Sequence, residues 1–186
     1  MLNRYFQQHY DVPGRTVAAA NIAVFGIYPN RPSVEYGLTL LRHAGFRRAD
    51  VSVLFPEYAG MKNLAMERNI MAQEDGMSVS ASGGSIPGEF SWVGGREVLS
   101  VPGLGPLVAA GPIVAAFASL SEDRGAGAVV NALMTFGVSE SKARRYERRI
   151  LDGAILLSVH CGNVEAISWA RELLSASGAE EISTAG

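Results

Sequence analysis

His160 and Cys161 are the first residues to consider for chemistry, because a thiol beside an imidazole is the pair that cysteine-dependent enzymes use. They end an apolar run at 154–161 that is typical of a buried strand. Adjacent side chains of a strand point to opposite faces, so this imidazole does not reach the neighbouring thiol. We therefore expect a buried thiol on one face and a polar histidine on the other. A cysteine-dependent enzyme stays an alternative that needs another base near Cys161, and His160 stays a ligand or interface candidate.

Metal and disulfide chemistry are limited by the residue counts. The chain has three histidines and one cysteine, scattered along its length, and these lack the spacing of zinc ligands. A single cysteine also excludes an intramolecular disulfide and is typical of a reducing compartment. We expect no catalytic constellation, no metal and no cofactor.

The apolar stretch SVPGLGPLVAAGPIVAAF at 100–117 contains the next candidates. Gly103 and Gly105 match the start of a dinucleotide-binding fingerprint, but Val108 stands where the third glycine belongs and Pro106 removes a backbone donor. We predict a turn and a short helix, buried within the domain or against another subunit. If this segment instead lines a pocket, its ligand or interface candidates are Gly103, Gly105, Pro106, Gly111 and Pro112.

The same region raises the question of a membrane span, because residues 98–120 carry no charge and roughly 20 apolar residues cross a bilayer. Pro102, Pro106 and Pro112 each leave a carbonyl without its helical donor, which lipid cannot supply. No basic cluster beside the segment sets an orientation. Membrane association is therefore the less favoured alternative.

Five cations lie within the segment KARRYERR at 142–149. Helical spacing brings Arg145 and Arg149 together on one face, and this face is a candidate for binding nucleic acid or anionic headgroups. Glu140 and Glu147 interrupt the charge, and Glu140 is placed to pair with Arg144. We favour a solvated helix face and expect no nucleic-acid partner.

Composition supports one ordinary domain. The chain has 186 residues, 48% of them hydrophobic and 18% charged, and a formal net charge of -2. This charge gives no bulk attraction to nucleic acid or anionic lipid. Residues 1–15 lack the apolar run of a secretory signal, so we expect no export and a cytoplasmic location.

The order of predicted elements indicates an α+β fold. Residues 17–55 read as β-α-β, with Pro32 in the first helical turn and Gly45 after the last. Residues 139–184 read as α-β-α-β, with Ser139 as N-cap and residues 180–183 as an edge strand. We therefore predict a ferredoxin-like α/β sandwich over 17–186, preceded by an arm at 1–16. A Gly/Pro-rich apolar insertion at about 57–136 would hold three further elements: a helix at 61–73, a hairpin of 77–82 with 89–93, and an apolar helix at 126–138.

Four segments together resemble the glycine-rich bacterial general-stress and heat-induced protein domain. They are LLRHAGFRRADVSVLFPE, SVPGLGPLVAAGPIVAAF, SKARRYERRILDGAILLSVHC and ARELLSASGAEEIS. The resemblance covers most of residues 20–184 and implies a small bacterial protein linked to stress, with no assigned reaction or catalytic residues. Relatives often carry a long Gly/Ala tract that looks like a membrane hairpin, and here the flanks of the central motif are short and partly polar.

The favoured hypothesis is a non-enzymatic protein that self-associates, as a homo-oligomer, in a stress or interaction role. It depends on the β-α-β pattern, the absent catalytic constellation and the large apolar content. The alternatives are a regulatory domain that binds an unknown small molecule and a membrane-peripheral protein that uses residues 98–120.

Overall fold

A single antiparallel sheet of six strands organises the part of the chain that the structure describes, which is residues 22–57, 89–119 and 127–186 of a computed structural model. The strand order across the sheet is β3-β4-β2-β5-β1-β6, and every neighbouring pair is antiparallel. The strands are β1 Ile22–Tyr28, β2 Val51–Pro56, β3 Glu97–Val101, β4 Gly105–Ala110, β5 Ile155–Cys161 and β6 Glu180–Ala185. The helices are α1 Arg31–His43, α2 Ile113–Ser119, α3 Ala128–Thr135, α4 Glu140–Leu151 and α5 Val164–Ala176.

The predicted β-α-β unit near the N-terminus is confirmed as β1-α1-β2. The Asn30 side chain accepts a hydrogen bond from Ser33 N at 3.0 Å and so caps the helix, with Pro32 in the first turn. At the other end Gly45 takes a φ of +86°, the left-handed conformation that glycine adopts without strain. The His43 ring nitrogen Nδ1 lies 2.8 Å from Thr39 O in the last turn.

The predicted α-β-α-β unit is confirmed as α4-β5-α5-β6. Ser139 occupies the N-cap position of α4 but makes no capping hydrogen bond with its side chain. The N-cap of α5 is Asn163, whose side chain accepts from Ala166 N at 2.7 Å. Gly153 and Gly178 follow the two helices with φ of +97° and +89°.

Helices cover both faces of the sheet. On one face α1 and α5 bury Leu38, Leu41 and Leu174 against β1, β2 and β5. On the other face α2, α3 and α4 surround Phe25 and Leu156. The fold is α+β, and every strand except the two at the edges has paired neighbours on both sides.

The insertion does not form a separate unit, because β3 and β4 extend the same sheet beyond β2. The expected strand at 89–93 is wrong: Glu89–Trp92 forms a 3-10 helix that places the Phe90 ring 5.3 Å from the Phe55 ring and 5.5 Å from the buried guanidinium of Arg31. The predicted helix at 61–73, the strand at 77–82 and the arm at 1–16 lie outside the described residues. The apolar helix expected at 126–138 is shorter, since Gly127 and Gly137 turn the chain with positive φ at its ends.

The expectation that the uncharged midsection is buried in protein is confirmed only in part: its core-facing side chains are buried, whereas Val98, Ser100 and residues 102, 103, 105 and 106 are exposed. Leu107, Ile113 and Phe117 are at most 4% exposed, and they pack into the core shared with α3 and α4. None of the helices in the described part of the chain combines the length and the apolar character that crossing a bilayer requires.

Candidate functional site

Three of the predicted site residues form the connection between β3 and β4. Leu104 N donates to Val101 O at 3.1 Å, so residues 101–104 make a β-turn. Pro102 at its second position and Gly103 with a φ of +81° at its third match the type II turn. Gly105 also has a positive φ of 77°, and Pro106 lies opposite Ser100 in the ladder. These residues reverse the chain at the sheet edge.

Strand β3, which this turn positions, is an edge strand with a regular ladder. Glu97–Val101 pair with 105–109 of β4 without any register shift. Leu99 and Val101 point into the core, 7% and 3% exposed. Val98 points to the opposite face and is 59% exposed, a high value for a valine in a sheet. Among the described residues, no strand pairs with the outer side of β3.

Gly111 and Pro112 fix this hairpin to the centre of the sheet. Gly111 N donates to Gly94 O at 3.0 Å, and Ile113 N donates to the buried Ser52 Oγ at 3.1 Å. A Cβ added at Gly111 would lie 2.0 Å from Val51 O, so the backbone of this residue packs directly on the start of β2. Close packing here leaves no space for a ligand between Gly111 and the start of β2.

The two predicted arginines, Arg145 and Arg149, lie on α4 beside the opposite edge of the sheet. Arg149 pairs with both glutamates at the start of β6, Glu180 and Glu181, and Arg145 lies 3.5 Å from the Glu181 carboxylate. Glu140 and Arg144 form the expected ion pair within α4 at 2.7 Å. The basic face of α4 is therefore solvated only in part, because acidic residues of the same chain neutralise its centre.

The prediction that His160 and Cys161 lie on opposite faces is confirmed. The His160 ring packs edge-on against Phe136 at 5.3 Å between centroids, on the face covered by α3 and α4. Cys161 is buried in the core beneath α1 and α5. Burial lowers the pKa of His160, although the backbone and charge of Asp50 act in the other direction. Burial raises the pKa of the Cys161 thiol to about 12, which keeps it in the unreactive protonated form at neutral pH.

A nucleophile–base–acid arrangement is not assembled around His160 by the described residues. Asp50 is the carboxylate nearest in register, but both of its oxygens accept from Arg47, at 2.7 and 2.9 Å. A carboxylate held in this way does not orient an imidazole as a catalytic triad requires. The described residues also contain no group of three or more histidine, cysteine or acidic side chains that could hold a metal ion.

The residue that sequence reasoning missed is Val98, at the centre of the exposed edge. Its signal was present: EVLSV and GPLVAA flank a Pro-Gly turn, which is the pattern of a hairpin. The prolines and the absence of charge across 98–120 instead favoured a buried turn and short helix, with membrane association as the alternative. The edge of β3 is the candidate functional site that the structure adds.

Comparison with protein-family models, with curated proteins and with solved structures finds no match to this chain. The resemblance to the stress-protein domain therefore depends on the four sequence segments alone.

Proposed function

We propose that this chain is a non-enzymatic protein that self-associates by pairing β3 with β3 of a second copy. The observation that carries the proposal is the outer edge of β3: a regular ladder strand with an exposed valine and no strand beside it in the described residues. Unpaired edges of this kind are templates for adding another strand. Antiparallel pairing of two copies would join the two sheets into one.

The sequence of β3 suits such a two-fold pairing. With the axis at Leu99, each Leu99 faces its equivalent, and Val98 of one copy faces Ser100 of the other. Glu97 then faces Val101, so no two like charges lie directly across the strands. The same patch serves both copies, as a two-fold dimer requires.

Self-association would also cover Val98 and so remove apolar surface from water. The neighbouring Val108 of β4 is only 3% exposed, whereas Val98 has no comparable cover on this face. Burying apolar area in this way gives about 25 cal/mol per Å² before the costs of association are subtracted.

The ferredoxin-like assignment is part of the proposal. Its support is the order β2-β5-β1-β6 within the sheet, with β1-α1-β2 and β5-α5-β6 placing both crossover helices on one face. The β3–β4 hairpin is then an addition on the β2 side of this four-stranded core. A stress-associated role, which the resemblance implies, and a cytoplasmic location, which the sequence favours, belong to the same proposal. The lack of a nucleic-acid partner belongs to it too, and the neutralised face of α4 supports this part.

The test is the oligomeric state of the double variant Val98→Lys, Ser100→Lys, measured by light scattering on a size-exclusion column. Both positions are exposed, so we expect an unchanged melting temperature and a shift from dimer to monomer. Leu151→Lys, at an exposed position of α4, is the matched control and should remain a dimer. A wild-type chain that stays monomeric at every concentration, or a double variant that stays dimeric, would show the proposal to be wrong.

A further inference from the structure

The outer face of α5 has a groove that the proposed self-association does not use. Its volume is about 360 Å³, and its lining residues are Val164, Glu165, Ser168, Trp169 and Glu172. Val164 is 71% exposed, the highest value among the large hydrophobic residues described. Spacings of four residues place 164, 168 and 172 in one row and 165 and 169 in the next, so the apolar and acidic side chains share one surface.

The groove is negatively charged, and no ion pair between described residues neutralises its carboxylates. Neither Glu165 nor Glu172 takes part in an ion pair between described residues. Two carboxylates beside a valine and an indole form a surface that fits a chain segment with both aromatic and cationic side chains.

The N-terminal arm has this composition. Residues 1–16 contain Tyr5, Phe6 and Tyr10 together with Arg4 and Arg15, and one acidic residue. Aromatic rings supply the apolar area for contact, and the two guanidinium groups supply the positive charge that the groove lacks.

The arm also joins the sheet beside the groove. Strand β1 starts at Ile22, which lies opposite Cys161 in the ladder, and α5 starts at Val164, three residues further along the chain. The groove extends from residue 164 to residue 172 of the helix, which is about 12 Å at a rise of 1.5 Å per residue. Five extended residues cover about 17 Å, so the segment before Ile22 is long enough to bring the arm onto α5.

From this juxtaposition we infer that the groove on α5 is the docking site of the chain's own N-terminal arm. The arm's aromatic side chains contact Val164 and Trp169, and its arginines lie toward Glu165 and Glu172. Docking within one chain requires no second copy, so it is independent of pairing at β3.

Photo-crosslinking of the full-length chain tests this inference. The photoreactive residue p-benzoylphenylalanine replaces Val164, whose exposure allows the larger side chain, and mass spectrometry locates the crosslinks. We expect crosslinks to residues 1–16. The same replacement at Met134 of α3, which is exposed on the other side of the sheet, is the control and should give none to the arm.

Two further measurements separate the alternatives. Mixing isotopically labelled and unlabelled chains distinguishes the chain's own arm from that of a second copy, and only crosslinks within one chain agree with the inference. The double variant Glu165→Gln, Glu172→Gln should lower the crosslink yield several-fold and make it insensitive to salt. Crosslinks between chains, a yield unaffected by the glutamine substitutions, or no crosslink to residues 1–16 would overturn it. Repeating the experiment in the Val98→Lys, Ser100→Lys background keeps this result separate from the oligomeric state.

Discussion

Strand β6 is fixed at its edge by side chains from a helix, whereas β3 at the opposite edge depends on its ladder to β4 and on two buried side chains. The hydroxyl of Tyr146, a residue of α4, donates to Glu181 O of β6 at 2.6 Å and lies 2.7 Å from Ser183 Oγ of the same strand. Glu181 itself has a φ of +50°, and two residues of β6 face Gly26 of β1, so the strand contains a bulge.

Each feature of β6 makes it a poor template for another strand. A bulge twists the edge, the tyrosine hydroxyl already bonds the Glu181 carbonyl, and paired glutamates and arginines surround the start of the strand. Strand β3 has none of these features, since its register is regular and its exposed side chain is a valine. The comparison indicates that the fold protects one edge and leaves the other available for association.

The largest expected effect comes from detaching the β3 edge from the sheet. In Gly111→Ala the new methyl group would lie 2.0 Å from Val51 O at a φ of +80°. Backbone cannot move aside cheaply, so we expect a loss of at least about 3 kcal/mol in the free energy of unfolding, measured by urea denaturation.

The matched control for this substitution is Gly103→Ala in the type II turn. Its φ of +81° is almost the same, but no atom lies within 4 Å of the added Cβ. Conformational strain alone should cost about 1–2 kcal/mol. Equal losses for the two variants would mean that the contact between Gly111 and β2 does not anchor the hairpin.

A smaller effect is expected from removing the hydroxyl that protects β6. Tyr146→Phe leaves Glu181 O without its donor, and we expect a loss of about 1–2 kcal/mol in the free energy of unfolding. Amide exchange should become faster in β6 and stay unchanged in β3. The control, Tyr36→Phe at a 54% exposed position of α1, should change neither quantity, and unaltered exchange in Tyr146→Phe would remove the asymmetry between the edges.

Local signals predicted most of this architecture, and contacts distant in sequence account for what was missed. Pro32 and Gly45 mark the two ends of α1, so local signals were sufficient there, although the N-cap Asn30 was not predicted. In contrast, Arg149 and Glu180 are 31 residues apart, and nothing in the basic segment shows that β6 will neutralise it. The aromatic alternation of 89–93 suggested a strand, but Phe90 is held in a 3-10 turn by its contacts with Phe55 and Arg31.

For the candidate site, the sequence supplied the turn residues but not the role of the edge. Gly103, Gly105 and Pro106 were candidates for a ligand or an interface, and the structure shows that they shape the hairpin. Whether β3 lies at the edge depends on which strands stand beside β2, and this is decided by the packing of the whole chain. His160 shows the converse: strand alternation alone was enough to separate it from Cys161.

Alkaline pH gives a weaker test of the β6 edge. Burial raises the pKa of Tyr146, with opposing contributions from Ser183 and Arg145, so the folded chain retains a proton that the unfolded chain loses above about pH 10. The stability that Tyr146 contributes is therefore complete below this pH and declines as the pH rises through the folded-state value.

The expected outcome is that wild type and Tyr146→Phe differ by a constant free energy of unfolding up to about pH 9, and that the difference narrows above pH 10. The pKa of Tyr28 is also raised by burial, to about 12, but Tyr28 is present in both proteins and its contribution cancels. A difference that grows with pH would contradict the burial of the Tyr146 hydroxyl. Urea denaturation of both proteins at a series of pH values measures this difference in the free energy of unfolding.

The smallest effect concerns the ion pairs that join α4 to β6. Arg149 is about one-third exposed, so Arg149→Ala should cost at most about 1 kcal/mol in dilute buffer and less at about 1 M salt, where screening removes the attraction. Arg144→Ala is the control, because its partner Glu140 lies on the same helix and does not contact β6. Of these two variants, only Arg149→Ala should raise amide exchange at the start of β6, since Arg149 contacts Glu180 and Glu181 there and Arg144 does not. If both variants raise it equally, charge on the α4 surface acts at long range, and the direct contact of Arg149 with β6 is not what protects this edge.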